Sequence, residues 1–485
     1  SVRSAAQLAV VSGLRPVCVD LFGDADLRLL LSGLSWAIGC QPYRQIKRFA
    51  DVVTAISDID PDVPVVFSGG LENDAALLER LQADRHVAGM SAETIRRLRD
   101  PEDYFSVLRR EGVAVPNWMT DFSSACRQLR DRSAAPDTWL LKSRTSSGGI
   151  GIRRWNGLPV TLPKSQEDER RNFLQRFVGG TAMSATYFAD RQSSSQRSVR
   201  LVGTCVQVIG EQLLFADGFQ FCGNVGPMEV PESIRGQLEH IGLVTGRNFD
   251  VCGFFGIDFV LNADRVVVIE INPRITASLE LFEVPQQTRH LAMQLTAFVR
   301  SSDPAEPKSP AEQSFVEPTD MIADDHRSRF SARPKVRLVL YAADDLHVTA
   351  NLSARMLYHC RLTVPARPGD ALQRLLSAEL CPDRSGERRT EQFADAALVR
   401  PNQGTVVAAA QPFFGTGEGC CVWLADIPSA ESVVPKGTPL CSIYAESAGS
   451  SRLIRDLNNV LSCLPQRFVP RPDRLAEIMV AAGFL

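Results

Sequence analysis

Lysine is scarce in this chain of 485 residues: only six of its 53 basic residues are lysine, at positions 47, 142, 164, 308, 335 and 436. Each one is therefore informative by its place. No stretch approaches 18 uninterrupted apolar residues, which excludes a spanning helix. The twelve cysteines form no C-x-x-C pair, and the adjacent Cys420 and Cys421 suit neither zinc spacing nor an easy disulfide. They read as reduced, mostly buried thiols of a cytosolic protein. The six histidines show no H-x-x-x-H spacing. His326 and His347 each lie just after a pair of aspartates and read as polar loop clusters. No signal peptide is visible. A net charge of −3 disfavours a general nucleic-acid binder.

What is present fits a folded, globular protein. With 44% hydrophobic and 22% charged residues the chain is globular, which excludes disordered, collagenous and coiled-coil classes. Its length suggests about three domains. Residues 1–95 alternate helix and strand: a helix over Ala5–Val11, a strand over Pro16–Asp20, a second strand over Val63–Phe67, and a helix over 74–82. Strand–glycine loop–helix units predict a parallel sheet with ligands at the strand ends, where Asp20, Asp24, Asp26 and the loop 68–73 fall. Residues 96–300 hold the strongest patterns. Residues 301–335 are rich in proline, serine and acids and read as a linker. Residues 336–485 read as a mostly β domain, with turns at 401–404 and 435–439 and two late helices over 451–463 and 473–482.

Two segments carry chemistry on their own residues. Phe254–Leu261 and Arg265–Arg274 read as a hairpin with an Asn-Ala-Asp turn. Side chains alternate along a strand, so Glu270 and Asn272 project together. With Leu261 opposite Arg265 across a three-residue loop, Asp258 falls opposite Val268 and shares their face. Three oxygen ligands on one patch suit Mg²⁺. The alternative is a structural ion pair with Arg265 or Arg274. The second segment is Trp139-Leu-Leu-Lys142 followed by a serine- and glycine-rich loop that holds Ser147, Gly148 and Gly149. Glycine lets backbone N–H groups approach phosphate, and Lys142 adds a point charge. Lysine precedes the glycines and a strand follows, which excludes a Walker P-loop; an ordinary hairpin is the alternative. Leu174–Gly180 reads as an edge strand and turn.

The ordered set Lys142, Ser147-Gly-Gly, Gln175-Arg-Phe-Val, Asp258 and Glu270-Ile-Asn-Pro-Arg274 resembles the ATP-grasp superfamily over about 95–300. The resemblance implies two β-rich lobes clamping ATP, with residues 1–95 as the Rossmann-like pre-ATP-grasp domain. The fold class it implies is α/β and α+β, multidomain: a parallel-sheet first domain, a two-lobed ATP-grasp domain and a mostly β C-terminal domain. Lys142 would bind phosphates under a loop of Ser147, Gly148 and Gly149. Gln175, Arg176, Phe177 and Val178 would meet the adenine. Asp258, Glu270 and Asn272 would hold two Mg²⁺, and Arg274 would act on the transferring group. Two departures stand out. At the place of a second ATP lysine the chain has Leu98-Arg-Asp-Pro101, so Arg99 substitutes or the contact is missing. Arg176 stands where glutamate is common.

The flanks Asp20-Leu-Phe-Gly-Asp-Ala-Asp26, Gly223-Asn-Val-Gly-Pro227, Ala425-Asp-Ile-Pro428 and Pro435-Lys-Gly-Thr-Pro439 are similar to ATP-grasp proteins encoded with one-carbon cofactor genes, a group similar to the tyramine–glutamate ligases of methanofuran biosynthesis. The expectation is an ADP-forming carboxylate–amine ligase in the cytoplasm that works through an acyl phosphate. It would add glutamate to a tyramine- or tyrosine-derived precursor, with Asp20, Glu72 and Asn224 near the acceptor. Its partners are small-molecule carboxylates and amines, with no nucleic acid and no membrane; a homo-oligomer is compatible. The rivals are an ATP-grasp carboxylase and a non-catalytic ATP-binding assembly or sensor protein.

Overall fold

The computed structural model describes residues 2–34, 36, 40–122, 124–125, 139–155, 165–191, 197–283, 290–299, 335–360, 421–446 and 450–481. The chain opens on a helix, Val2–Val11, which buries Leu8, Ala9 and Val10. Strand β1 (Cys18–Asp20) then pairs in parallel with β2 (Tyr43–Gln45), Cys18 opposite Tyr43. The strand predicted over Val63–Phe67 shrinks to Val65, bridged in parallel to Val87. Pro64 precedes it and has no N–H to extend a ladder. The next helix, Ala75–Asp84, starts close to the predicted place because the Asp74 side chain accepts the Leu77 N–H at 3.0 Å. Helices Ala92–Arg99 and Pro101–Arg110 follow, joined at Asp100, whose carboxylate accepts the Glu102 N–H.

Two antiparallel sheets come next. The smaller contains β3 (Trp118–Met119), β4 (Trp139–Ser143), β5 (Arg153–Trp155) and β6 (Asn172–Arg176), in the order β3-β6-β4-β5. The larger has eight strands. Five of them are β7 (Thr181–Arg191), β8 (Arg197–Ile209), β9 (Phe221–Gly226), β10 (Gly253–Asn262) and β11 (Arg265–Asn272). Alternation along β10 sends Phe255, Ile257 and Phe259 into the main core under helix Glu232–Asn248. Tyr187 stacks on Phe255 with ring centroids 5.2 Å apart and donates to the Leu238 carbonyl at 2.9 Å. Each such ring contributes about 2–3 kcal/mol by burial. Asp258 points to the opposite face.

The last part of the chain completes the same sheet. Strand β12 (Lys335–Tyr341) pairs with β9, setting Arg337 opposite Asn224. After β13 (Leu346–His347) come β14 (Cys421–Ala425), β15 (Val433–Val434) and β16 (Pro439–Glu446). The large sheet runs β11-β10-β7-β8-β9-β12-β16-β14, while β13 and β15 form a separate pair. Helices Ala350–Tyr358, Ser450–Leu461 and Pro472–Ala481 cover this end, with Leu453, Leu457 and Leu461 fully buried on one face. The predicted linker before Lys335 and the turn at 401–404 lie outside the described residues. Among the described residues eight cysteines are free thiols, and no helix is long and apolar enough to cross a membrane.

Candidate functional site

The hairpin of β10 and β11 differs from expectation by one residue, and a second irregularity compensates. Asn262 pairs with Arg265, so the turn is the two residues Ala263 and Asp264, and Ala263 takes φ +49°. A regular ladder would then turn Glu270 toward the core. Instead the register shifts between Asp258 and Phe259: Phe259 faces Val268, and Asp258 faces Glu270, not Val268 as the sequence predicts. Ile269 is the extra residue of this bulge. Glu270 and Asn272 thereby share the face of Asp258.

On that face the oxygen ligands already have partners. Asn272 Nδ2 donates to Asp258 Oδ2 at 3.0 Å, and Gln207 Nε2 donates to Asp258 Oδ1 at 3.1 Å. Arg99 Nη1 donates to Glu270 Oε1 at 3.0 Å. Lys142, buried on β4 of the small sheet, reaches across with its Nζ 3.9 Å from Glu270 Oε2 and donates to Gln175 Oε1 at 3.2 Å. Burial lowers the Lys142 ammonium pKa, with Glu270 and Asp258 pulling it back up. Burial, with Glu270 beside it, pushes the Asp258 carboxyl up to about 6. Arg99 therefore lies in the site, in contact with the metal-ligand candidate Glu270.

Arg274 turns to Glu72, its Nε donating to Glu72 Oε1 at 2.5 Å, while Arg99 Nη2 lies 3.5 Å from the same oxygen. Burial alone would raise Glu72, but the two guanidiniums outweigh it and hold its carboxyl below the usual range. Glu72 Oε2 is buried without a hydrogen-bond partner. Asn224 is buried on β9 between Gln207 and Arg337, and its Oδ1 also lacks a partner. Asp20 lies apart from this group, its carboxylate accepting the Gly23 N–H at 2.7 Å.

The glycine loop is anchored. Phe221 N–H donates to the Gly148 carbonyl at 2.9 Å, and Asn73 Nδ2 reaches Ser147 Oγ at 3.4 Å. Gly149, at φ +72°, brings its backbone so close to Phe219 that a Cβ would stand 1.8 Å from the carbonyl oxygen. Beside it Arg154 stacks on Phe177 at 4.4 Å and lies 5.7 Å from the ring centre of Phe219. Arg176 is exposed and its N–H donates to the Asn117 carbonyl, while Gln175 turns inward to Lys142. Residues 175–178 thus do not act as one unit.

The residues present suit the groups the fold calls for. Two carboxylates and an amide fit a hard cation that keeps several waters and takes its remaining ligands from phosphates. Among the described residues no three His, Cys, Asp or Glu side chains gather into a closed protein cage. Sequence reasoning missed Gln207, which carries no local signal. It also passed over Arg337, although a charge within the apolar run of β12 was a visible one.

Residues 102–278 match the family model of the ATP-grasp domain. No curated protein matches the chain. Among solved structures, biotin carboxylase from Campylobacter jejuni aligns at 12% identity with a TM-score of 0.58, over 99% of this chain and 94% of that one. The biotin carboxylase domain of the Hydrogenobacter thermophilus 2-oxoglutarate carboxylase aligns at 11% identity and 0.54, over 95% and 86%. N5-carboxyaminoimidazole ribonucleotide synthetase, solved with ADP, aligns at 10% identity and 0.52, over 94% and 93%. At such identities the likeness is one of fold. The chain has the fold of ATP-grasp proteins, and the part of it that matches the ATP-grasp domain model is residues 102–278.

Proposed function

We propose that the protein is an ATP-dependent carboxylate–amine ligase that releases ADP and phosphate. The observation that carries this reading is the meeting of Lys142 from the small sheet with Glu270, Asp258 and Asn272 from the large one, between two β-rich lobes. ATP is the substrate bound there. Lys142 and the backbone of Gly148 and Gly149 hold its phosphates, and Phe177 with Val178 lies at the base. Asp258, Glu270 and Asn272 hold Mg²⁺, which neutralises charge on the phosphate oxygens. Arg274, fixed by Glu72, stabilises the group in transfer. The substrate carboxylate attacks the γ-phosphate, ADP leaves, and an amine then displaces phosphate from the acyl phosphate. Positioning and charge neutralisation suffice, so no side-chain nucleophile is required.

The finer reading is that glutamate is joined to a tyramine- or tyrosine-derived precursor of a one-carbon cofactor. It rests on the resemblance of the flanking segments. Two of them touch: Ala25 N–H donates to the Ile427 carbonyl at 2.7 Å, and Asp426 N–H to Asp26 at 3.0 Å. The decisive experiment is a single-turnover mixture analysed by chromatography, with hydroxylamine present. One ADP and one phosphate per amide, and a trapped hydroxamate, are expected. AMP as the stoichiometric product would falsify the mechanism, and ADP release that needs bicarbonate would move the reading to a carboxylase.

A further inference from the structure

Opposite charges alternate through the site. Lys142 Nζ lies 3.9 Å from Glu270 Oε2, and Arg99 Nη1 donates to Glu270 Oε1 at 3.0 Å. Arg99 Nη2 lies 3.5 Å from Glu72 Oε1, the oxygen that Arg274 Nε also meets at 2.5 Å. Arg99 is thus the middle cation. On one side stands the lysine that the proposed reaction puts on the phosphates, and on the other the arginine it puts on the group in transfer. The chain around Arg99 is held in place. Arg99 ends helix Ala92–Arg99, and Asp100 after it caps the next helix and accepts Arg144 Nη1 from the start of the glycine loop at 2.5 Å.

This middle guanidinium is not saturated. Its side chain is only 11% exposed, yet Nε and Nη2 are buried without a hydrogen bond. These two nitrogens form one edge of the guanidinium, a fork whose parallel N–H groups fit two oxygens of one phosphate or carboxylate. Glu72 does not fill the fork: Arg274 takes its Oε1, and its Oε2 has no hydrogen-bond partner either. Buried donors of this kind are left open where a ligand supplies the acceptor. An arginine with a structural task looks different. Toward the other end of the large sheet Arg3 spends all three nitrogens: Nε meets Asp426 at 3.3 Å, Nη1 meets Glu280 at 3.2 Å, and Nη2 donates to the Tyr444 hydroxyl at 2.7 Å. Asp26 lies 3.8 Å from Arg3, Arg337 meets Asp426 at 3.0 Å, and Tyr444 donates to Glu280. In that buried ionic cluster Arg3 has no edge left over.

We propose that the Nε–Nη2 edge of Arg99 binds the γ-phosphate of ATP, between Lys142 and Arg274. This rests on the proposed use of ATP and deepens it, since Arg99 then distinguishes ATP from ADP. A substrate carboxylate fits the same fork, but Arg99 touches Glu270, the ligand candidate at the phosphates, and this favours the phosphate. Lys142 is buried as deeply as Arg99, so an opening that admits phosphate to one admits it to the other. Binding to the full chain is measured by calorimetry at saturating Mg²⁺, with ADP and the β,γ-imido analogue of ATP as probes. Arg99→Gln should weaken the analogue at least tenfold and ADP less than twofold, with circular dichroism showing an intact fold. Arg99→Lys keeps the charge without the fork and should still weaken the analogue alone, at least threefold; it decides where Arg99→Gln fails to fold. Equal weakening of both nucleotides, or of neither, in the folded variant overturns the proposal and leaves the ATP reading standing. A wild-type chain that binds neither nucleotide removes the ATP reading and the proposal with it.

Discussion

Asp258 shows what a functional carboxylate costs a fold. Its pKa is about 6 in the folded chain against about 4 for a free aspartate. Between those values the folded state holds more protons than the unfolded one, so stability falls as the pH rises and the full penalty applies above pH 6. Asp258→Asn should therefore raise the metal-free melting temperature at pH 7.5 and leave it unchanged near pH 4. The gain is roughly 1–2 kcal/mol, discounted because the carboxyl is only half-buried. Calorimetry with a chelator present checks this; an equal gain at both pH values sinks the buried-charge account. Glu270→Gln should lower kcat about 100-fold or more with the fold intact, because a ligand that neutralises phosphate charge contributes several kcal/mol to the transition state. Turnover unchanged at saturating Mg²⁺ would remove Glu270 from the site. Lys142→Ala should raise KM for ATP and lower kcat together, since a phosphate contact acts in both ground and transition states. A change in neither, by steady-state kinetics, would make Lys142 a core lysine.

Among the elements, the glycine loop makes the sharpest prediction. Gly148 and Gly149 both have positive φ, but a Cβ on Gly148 would meet nothing within 4 Å, whereas one on Gly149 would collide with the Phe219 carbonyl. Gly149→Ala should thus raise KM for ATP by about tenfold, close to 1.4 kcal/mol. Gly148→Ala should cost only backbone strain, of order 1 kcal/mol. Equal effects of the two in nucleotide titrations would show that the approach to Phe219 is unimportant. The hairpin shows how far such elements were legible. Period-two alternation with a three-residue loop placed Asp258 on the face of Glu270 and Asn272, and it does lie there. The route was different, because a two-residue turn and the bulge at Ile269 each shift the register by one and cancel. Alternation reports a face; it does not report where a ladder breaks. The loop 143–149 was legible as flexible in composition but not as docked, because its partner, Phe219–Phe221, lies some 70 residues on.

At the scale of the molecule, the sequence marked a change of character at 301–335 but not that β12, β16 and β14 extend the sheet begun by β7. Pairing of β12 with β9 joins residues more than a hundred positions apart and leaves no local trace. The ionic cluster is equally silent in sequence, since Arg3, Glu280, Arg337 and Asp426 meet only through the fold. Arg3→Met should destabilise the protein by about 3–5 kcal/mol, because it leaves Asp26, Glu280 and Asp426 with one guanidinium among them. Chemical denaturation checks this, and a loss under 1 kcal/mol would show the cluster to be well solvated. The same cluster sets a schedule for biosynthesis. Arg3 donates to the Tyr444 hydroxyl across 441 positions. At ribosomal speeds of about 5–20 residues per second, the opening helix waits roughly 20–90 s for that partner to be made. For that interval its arginine has no Tyr444, and β9 has no β12 along its edge. A nascent chain halted before β12 should accordingly be held by chaperones, and should let go of them only once the closing strands emerge.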